Sequence, residues 1–166
     1  MAALLAAVLF CSGLQPALAS DPLDLTRALF FPLPNRHGLG REQREIKSGD
    51  APEAKAGDLI RALLDGSRAG LAPVFPPGVH LRQVFVDQTG RALVDLKIDR
   101  TTSARDAAEE ALGLFALVNT LCYNLSEVNM VKFLVDGAEA STALGHVDIS
   151  RSFLADESLV DDGASR

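Results

Sequence analysis

A glycine, a histidine and an aspartate stand within four positions near the end of the chain, in Gly145-His146-Val147-Asp148. On an extended segment His146 and Asp148 point to the same side, as a general base and the group that orients it would. That chemistry also needs a nucleophile, and no nearby Ser or Cys is marked by a glycine elbow. A metal centre would need a third and a fourth ligand. The other histidines, His37 and His80, are far off in sequence, in a turn and at a strand start. The competing reading is structural. Gly145 permits a close or left-handed turn, and His146 and Asp148 bond backbone groups that a closing strand leaves unpaired. The expectation is therefore no catalytic residue, no metal ligand and no cofactor.

Two further places carry polar groups among apolar neighbours. Asn119-Thr120 interrupts an apolar run late in a helical pattern. Asn119 falls between the faces of Phe115 and Cys122, so its amide is expected to be partly buried, where it either binds a ligand or anchors a neighbouring loop. Asp136-Gly137 reads as a turn. Cys122, among apolar neighbours, reads as a small core residue. With only Cys11 and Cys122 in the chain, a disulfide framework and a thiolate zinc site are excluded by count.

The elements that must position these residues follow from periodicity. Thr26–Leu33 reads as a first strand and Arg41–Lys47 as a weaker second one. Asp50-Ala51-Pro52 opens a helix, with Asp50 as the expected N-cap, and Ala56, Leu59, Ile60, Leu63 and Leu64 recur at helical spacing. A Gly- and Pro-rich loop over residues 66–78 precedes two strands, Val79–Val86 and one in which Ala92, Val94, Leu96 and Ile98 share a face. Arg91, Asp95, Lys97 and Asp99 fall on the opposite face, the alternation of a half-buried antiparallel strand. Ser103-Ala104-Arg105-Asp106 resembles a capping box. The long helix it opens carries a stripe of Ala104, Ala108, Ala111, Phe115, Val118 and Cys122, with Arg105, Glu109 and Glu110 assigned to solvent. Val131, Phe133 and Val135 form another strand, with one more short strand expected near residues 147–149. The acidic stretch from Asp156 to Arg166 is expected to fray, with residues 161–166 as a disordered tail. The order is β-β-α-β-β-α-β, and the fold class is α+β: an antiparallel or mixed sheet with two helices on one face.

Composition bounds the function. A chain of 166 residues, 48% apolar and 23% charged, suits one domain with short extensions. Its formal charge of −6 argues against nucleic acid, which needs a basic stripe, and against an anionic membrane surface. Residues 1–19 carry no charged side chain, run apolar from Ala2 to Phe10, and end in Ala17-Leu18-Ala19. This predicts a signal peptide cleaved before Ser20. The alternatives that would hold the chain at a membrane are an uncleaved N-terminus or lipidation of Cys11, which follows the bulky Phe10 where lipoprotein processing favours a small residue.

Several segments together resemble one family. VFPPGVHLRQVFVDQTGRALVDL (residues 74–96), LVNTLCYN (117–124), VNMVKFLVDG (128–137) and GHVDISRSF (145–153) are similar, in that order, to the GerMN domain of bacterial sporulation and spore-germination proteins. The resemblance spans residues 26–160. It implies an extracytoplasmic, non-enzymatic α+β module, ring-building-motif-like, of the kind that builds rings in secretion and sporulation channels. It implies partners among other envelope proteins, in the periplasm or on the outer face of the cytoplasmic membrane. Gly145, His146 and Asp148 then match a family motif, most simply a fold signature. The alternative is a cell-wall ligand-binding protein or hydrolase, with cell-wall material as partner. A deep polar cleft would favour that alternative, and a flat face with exposed apolar residues would favour assembly.

Overall fold

The computed structural model describes residues 25–35 and 37–161; the expected signal peptide and the segment 162–166 lie outside them. The strands and helices run β1 (Thr26–Pro32), β2 (Leu39–Glu45), α1 (Pro52–Leu64), β3 (Val79–Val86), β4 (Arg91–Ile98), α2 (Ala107–Asn124), β5 (Met130–Val135) and β6 (Phe153–Leu154). The α+β class and the element order hold. The strands divide into two sheets, an antiparallel β1–β2 pair and a mixed sheet ordered β3-β4-β5-β6. In the second sheet β4 and β5 are parallel, joined through α2, and the other pairs are antiparallel.

The apolar run of β1 is continuous because α1, α2 and β2 enclose it; Ala28, Leu29, Phe30 and Phe31 are all buried. Its open edge meets α2 in place of another strand. Thr120 Oγ1 accepts the Phe30 N–H at 3.1 Å, and the Asn124 amide brackets Ala28, accepting its N–H at 3.0 Å and donating to its carbonyl at 2.7 Å. These bonds account for the polar residues of an otherwise apolar helix: they satisfy backbone groups that an edge strand would leave bare.

The mixed sheet has an inner and an outer face. Ala92, Val94 and Leu96 of β4 and Val131 and Phe133 of β5 point inward and are buried. Phe153 of β6 meets Phe133 and Phe115 edge-on. The outward row is set by register: Phe85 opposite Leu93 opposite Lys132, and Arg91 opposite Met130 opposite Leu154.

Five expectations need correction. Helix α1 starts after Ala51, with no side-chain cap from Asp50; its other end is closed by the buried Arg44, which donates to the carbonyls of Ala62 and Gly66 at 2.9 and 3.0 Å. Helix α2 starts at Ala107, and Asp106 replaces Ser103 as its cap, accepting the Glu109 N–H at 2.9 Å. Its buried side is Glu110, Leu114, Leu117, Val118 and Leu121, while Ala108, Ala111, Phe115 and Cys122 are only partly covered. The helix is enclosed around most of its girth from Gly113 to Leu121, so no single apolar stripe defines its orientation. At Gly113 a Cβ would come within 2.3 Å of the Val74 carbonyl oxygen, so the Pro-rich loop can approach only because the side chain is absent. Lastly, the final short strand is Phe153–Leu154 rather than residues 147–149, and residues 156–161 do not fray: they form a 3-10 turn at Glu157–Leu159 and a bridge from Val160 to Leu39.

Candidate functional site

The Gly145–Asp148 corner belongs to a closed loop. Ile149 donates its N–H to Ser141 at 2.9 Å, and Thr142 bridges Asp148, so residues 141–149 return on themselves. Inside lies the carboxylate of Glu110, 0% exposed. Its Oε1 accepts the N–H groups of Ala143 (3.2 Å) and Leu144 (2.8 Å); its Oε2 accepts those of His146 (2.7 Å) and Val147 (3.2 Å). Four oriented amides are a strong solvation shell for one carboxylate, and charge-assisted bonds of this kind exceed neutral ones.

His146 and Asp148 do not meet each other through hydrogen bonds. The His146 ring lies 3.2 Å through Nε2 from the Ala104 carbonyl, which makes Nε2 the donor. Asp148 accepts the Ser150 N–H at 2.8 Å, and that bond, with the Ser150 side chain, holds its carboxyl below the usual carboxylate range. Gly145 has φ 110°, a left-handed value that the turn requires. What wraps the loop is therefore mainly Glu110, a residue that sequence reasoning assigned to solvent. A signal for it exists: Glu110, Leu114, Leu117 and Leu121 follow one another at spacings of four, three and four, which puts the acid on the buried side.

The other candidates are anchored in the same manner. Asn119, 3% exposed, pairs with both backbone groups of Asp156, donating to its carbonyl at 2.8 Å and accepting its N–H at 2.9 Å. The Asp136-Gly137 turn, with φ 51° and 83°, is fixed by Asp95, whose Oδ1 accepts the Gly137 N–H at 2.8 Å while Oδ2 binds Arg82 at 2.9 Å. Asp95 is thus buried, not solvent-facing: β4 is a central strand, and its outer face there lies beneath Arg82 and the turn. Lys132 donates to the carbonyls of Ile149 and Ser150 at 3.2 and 2.6 Å. Glu42 gathers Arg44, Ser67 and the N–H groups of Arg68 and Ala69; burial pushes its carboxyl up, but these hydrogen bonds together hold it lower.

Open concavities flank the Pro-rich loop, one of about 770 Å³ lying between it, the end of α1 and the start of β3. A cleft of about 370 Å³ lies between the β1–β2 turn and the start of α2, with His37, Asp106 and Glu109 on its walls. The two carboxylates there are engaged with the helix start, Asp106 as the cap and Glu109 with the backbone and side chain of Arg105. Among the described residues no three His, Cys, Asp or Glu side chains are grouped as metal ligands would be. Cys122 is half-buried, and its burial pushes the thiol up despite the Ala155 N–H beside it. No described helix is long and apolar enough to cross a membrane.

Residues 28–141 match the family model described as sporulation and spore germination. No curated protein sequence matches. Among solved structures, a candidate lipoprotein of Clostridium perfringens is similar at 25% identity and TM-score 0.57, covering 85% of this chain and 95% of its own. The first GerMN domain of the sporulation protein GerM from Bacillus subtilis is similar at 18% identity and TM-score 0.63, covering 78% of this chain and 96% of its own. The tandem GerMN domains of the same protein match at 18% identity and TM-score 0.62 over 78% of this chain, which spans 45% of that longer one.

Proposed function

We propose, from the premise that this chain belongs to the sporulation and spore germination family, that it is an exported, non-enzymatic binding and assembly module of the bacterial cell envelope. The observation that carries this reading is the outer face of the mixed sheet. Phe85 is 53% exposed and Leu154 64%, and register joins them to Leu93 and Met130 in neighbouring rows. Single exposed apolar residues are ordinary, but two in each of two neighbouring rows on one sheet face fit the apolar centre of a protein interface. Three charges within the face are held by groups of this chain, Asp95 by Arg82, Arg91 by Asp87, and Lys132 by Glu139 and the carbonyls of Ile149 and Ser150. Docking there would leave few bare charges to bury.

The non-enzymatic part of the reading rests on the polar clusters. The buried carboxylates Glu42, Asp95 and Glu110 have their oxygens engaged by loop amides or side chains of this chain. An extracytoplasmic site accords with the charge-free N-terminal stretch and with the similarity to a candidate lipoprotein. A photo-crosslinking residue at Phe85 in the native host, compared with one at the exposed Ser126, tests the proposal. Crosslinks from position 85 alone to an envelope protein are the expected result. Equal yields from both positions, or capture of cytosolic proteins only, would reject it.

A further inference from the structure

Residues 153–161 form a strap: Phe153–Leu154 pair with β5 at the edge of the mixed sheet, residues 155–161 cross the groove between α2 and the β1–β2 sheet, and what holds the crossing part is mostly its backbone. Asn119 reads the N–H and the carbonyl of Asp156 together, as a neighbouring strand would. Leu39 of β2 bridges Val160 in parallel and accepts the Asp161 N–H at 2.8 Å. The Ala155 N–H faces the Cys122 sulfur. Bonds of this type do not depend on side-chain identity, which is how sheet edges take up extended peptides. Two further features bear on how the strap is held. No residue from Phe153 to Asp161 is buried. A cavity of about 80 Å³ remains between it and the groove floor, with Phe30, Asn119, Cys122 and Tyr123 on one side and Ala155, Glu157 and Val160 on the other. Segments with few buried contacts open locally at low cost.

We propose that this groove is a peptide-docking site, occupied in cis by residues 153–161 and taken over by an extended peptide of a partner protein when the strap is displaced. Asn119 is the central reader, because its amide offers one donor and one acceptor to any residue in extended conformation. The side-chain contribution of the occupant is small: Phe153 against Phe115 and Phe133, and Leu159 and Val160 against the core margin. The proposal shares Leu154 with the sheet-face reading and rests on none of its other residues, so the peptide experiment and the crosslink from position 85 test the two separately.

The full chain and its Asp156→Pro variant test this with a labelled synthetic peptide of sequence SFLADESLVD, residues 152–161. Proline removes the N–H that Asn119 accepts and is incompatible with φ near −123°, while leaving the groove itself unchanged. At least tenfold tighter peptide binding by the variant is expected. Alkylation at Cys122, read by peptide mass mapping, should be at least tenfold faster and be suppressed by the peptide. Adding Asn119→Ala should cancel the gain in binding. A folded variant with neither change would overturn the proposal, as would loss of the fold, which would make the strap part of the core structure. A wild-type dimer that excludes the peptide would assign the groove to a second copy and also overturn it. In the wild type, hydrogen exchange of the Asp156 amide should be at least a hundredfold faster than that of Leu121; equal rates would contradict the proposal.

Discussion

The loop of residues 141–149 and the strap of residues 153–161 follow the same strand and are both tied to α2 by one polar side chain. Glu110 holds the loop and Asn119 holds the strap. The loop receives a carboxylate with four amides around it, and it sends Leu144 and Ile149 into the core. The strap receives a neutral amide with two bonds and buries nothing completely. A buried carboxylate cannot be left without its amides, because the unpaired charge costs several kcal/mol in a low-dielectric interior. Loop and acid are therefore a single unit, whereas an amide and an extended backbone can separate and be solvated at modest cost.

Substitutions at the two anchors measure that difference. Glu110→Ala leaves four loop amides without their acceptor and is expected to lower stability by about 4 kcal/mol in a denaturant melt. A loss below about 1 kcal/mol would mean that the loop refolds around water and that the two anchors are equivalent. Asn119→Ala removes two bonds to a segment already near solvent, and about 1–2 kcal/mol is expected from the same measurement. His146→Ala should cost less still, about 0.5 kcal/mol, because its exposed ring makes one bond to Ala104 while its backbone N–H does the tying. A larger loss at His146 than at Asn119 would reverse the ranking and return the imidazole to the centre of the corner.

The smallest effect concerns the β3–β4 turn, which is tied by an exposed carboxylate. Asp87 is lowered from 3.8 to about 2, first by the Thr89 hydroxyl and then by the Arg91 backbone N–H. The folded state thus binds this proton more weakly than the unfolded state. The contribution is complete above about pH 4 and disappears as pH falls toward about 2. Asp87→Asn should flatten part of the stability-versus-pH curve in that window and leave the curve unchanged near neutrality in shape. An unchanged acid limb would show that the turn does not contribute.

Much of this architecture was legible in the sequence. Alternation at Ala92, Val94 and Leu96 and the helical spacing of Ala56, Leu59, Ile60 and Leu63 identify inward faces that the structure retains. Legibility failed where a polar side chain serves the interior. Glu110, Asp95 and Glu42 look like solvent-facing charges in any periodic pattern, since burying a charge is unfavourable until its partners are known. Each of the three binds backbone amides 26–42 residues away, in loops whose path no local pattern fixes. Helix α2 was misread for a related reason. A helix enclosed nearly all round has no apolar stripe to orient it, and Asn119, Thr120 and Asn124 mark contacts to β1 and the strap.

Hydrogen exchange of the Ala143, Leu144, His146 and Val147 amides in the wild type and Glu110→Gln tests most directly whether this acid makes the Gly145–Asp148 corner. Glutamine keeps an acceptor on one side of the clamp but sets its NH₂ against two N–H donors. Relative to Leu121 in the same sample, the four amides should lose protection together, by at least a hundredfold, while Asp156 keeps its own ratio. Protection at His146 and Val147 unchanged relative to Leu121 would contradict the account.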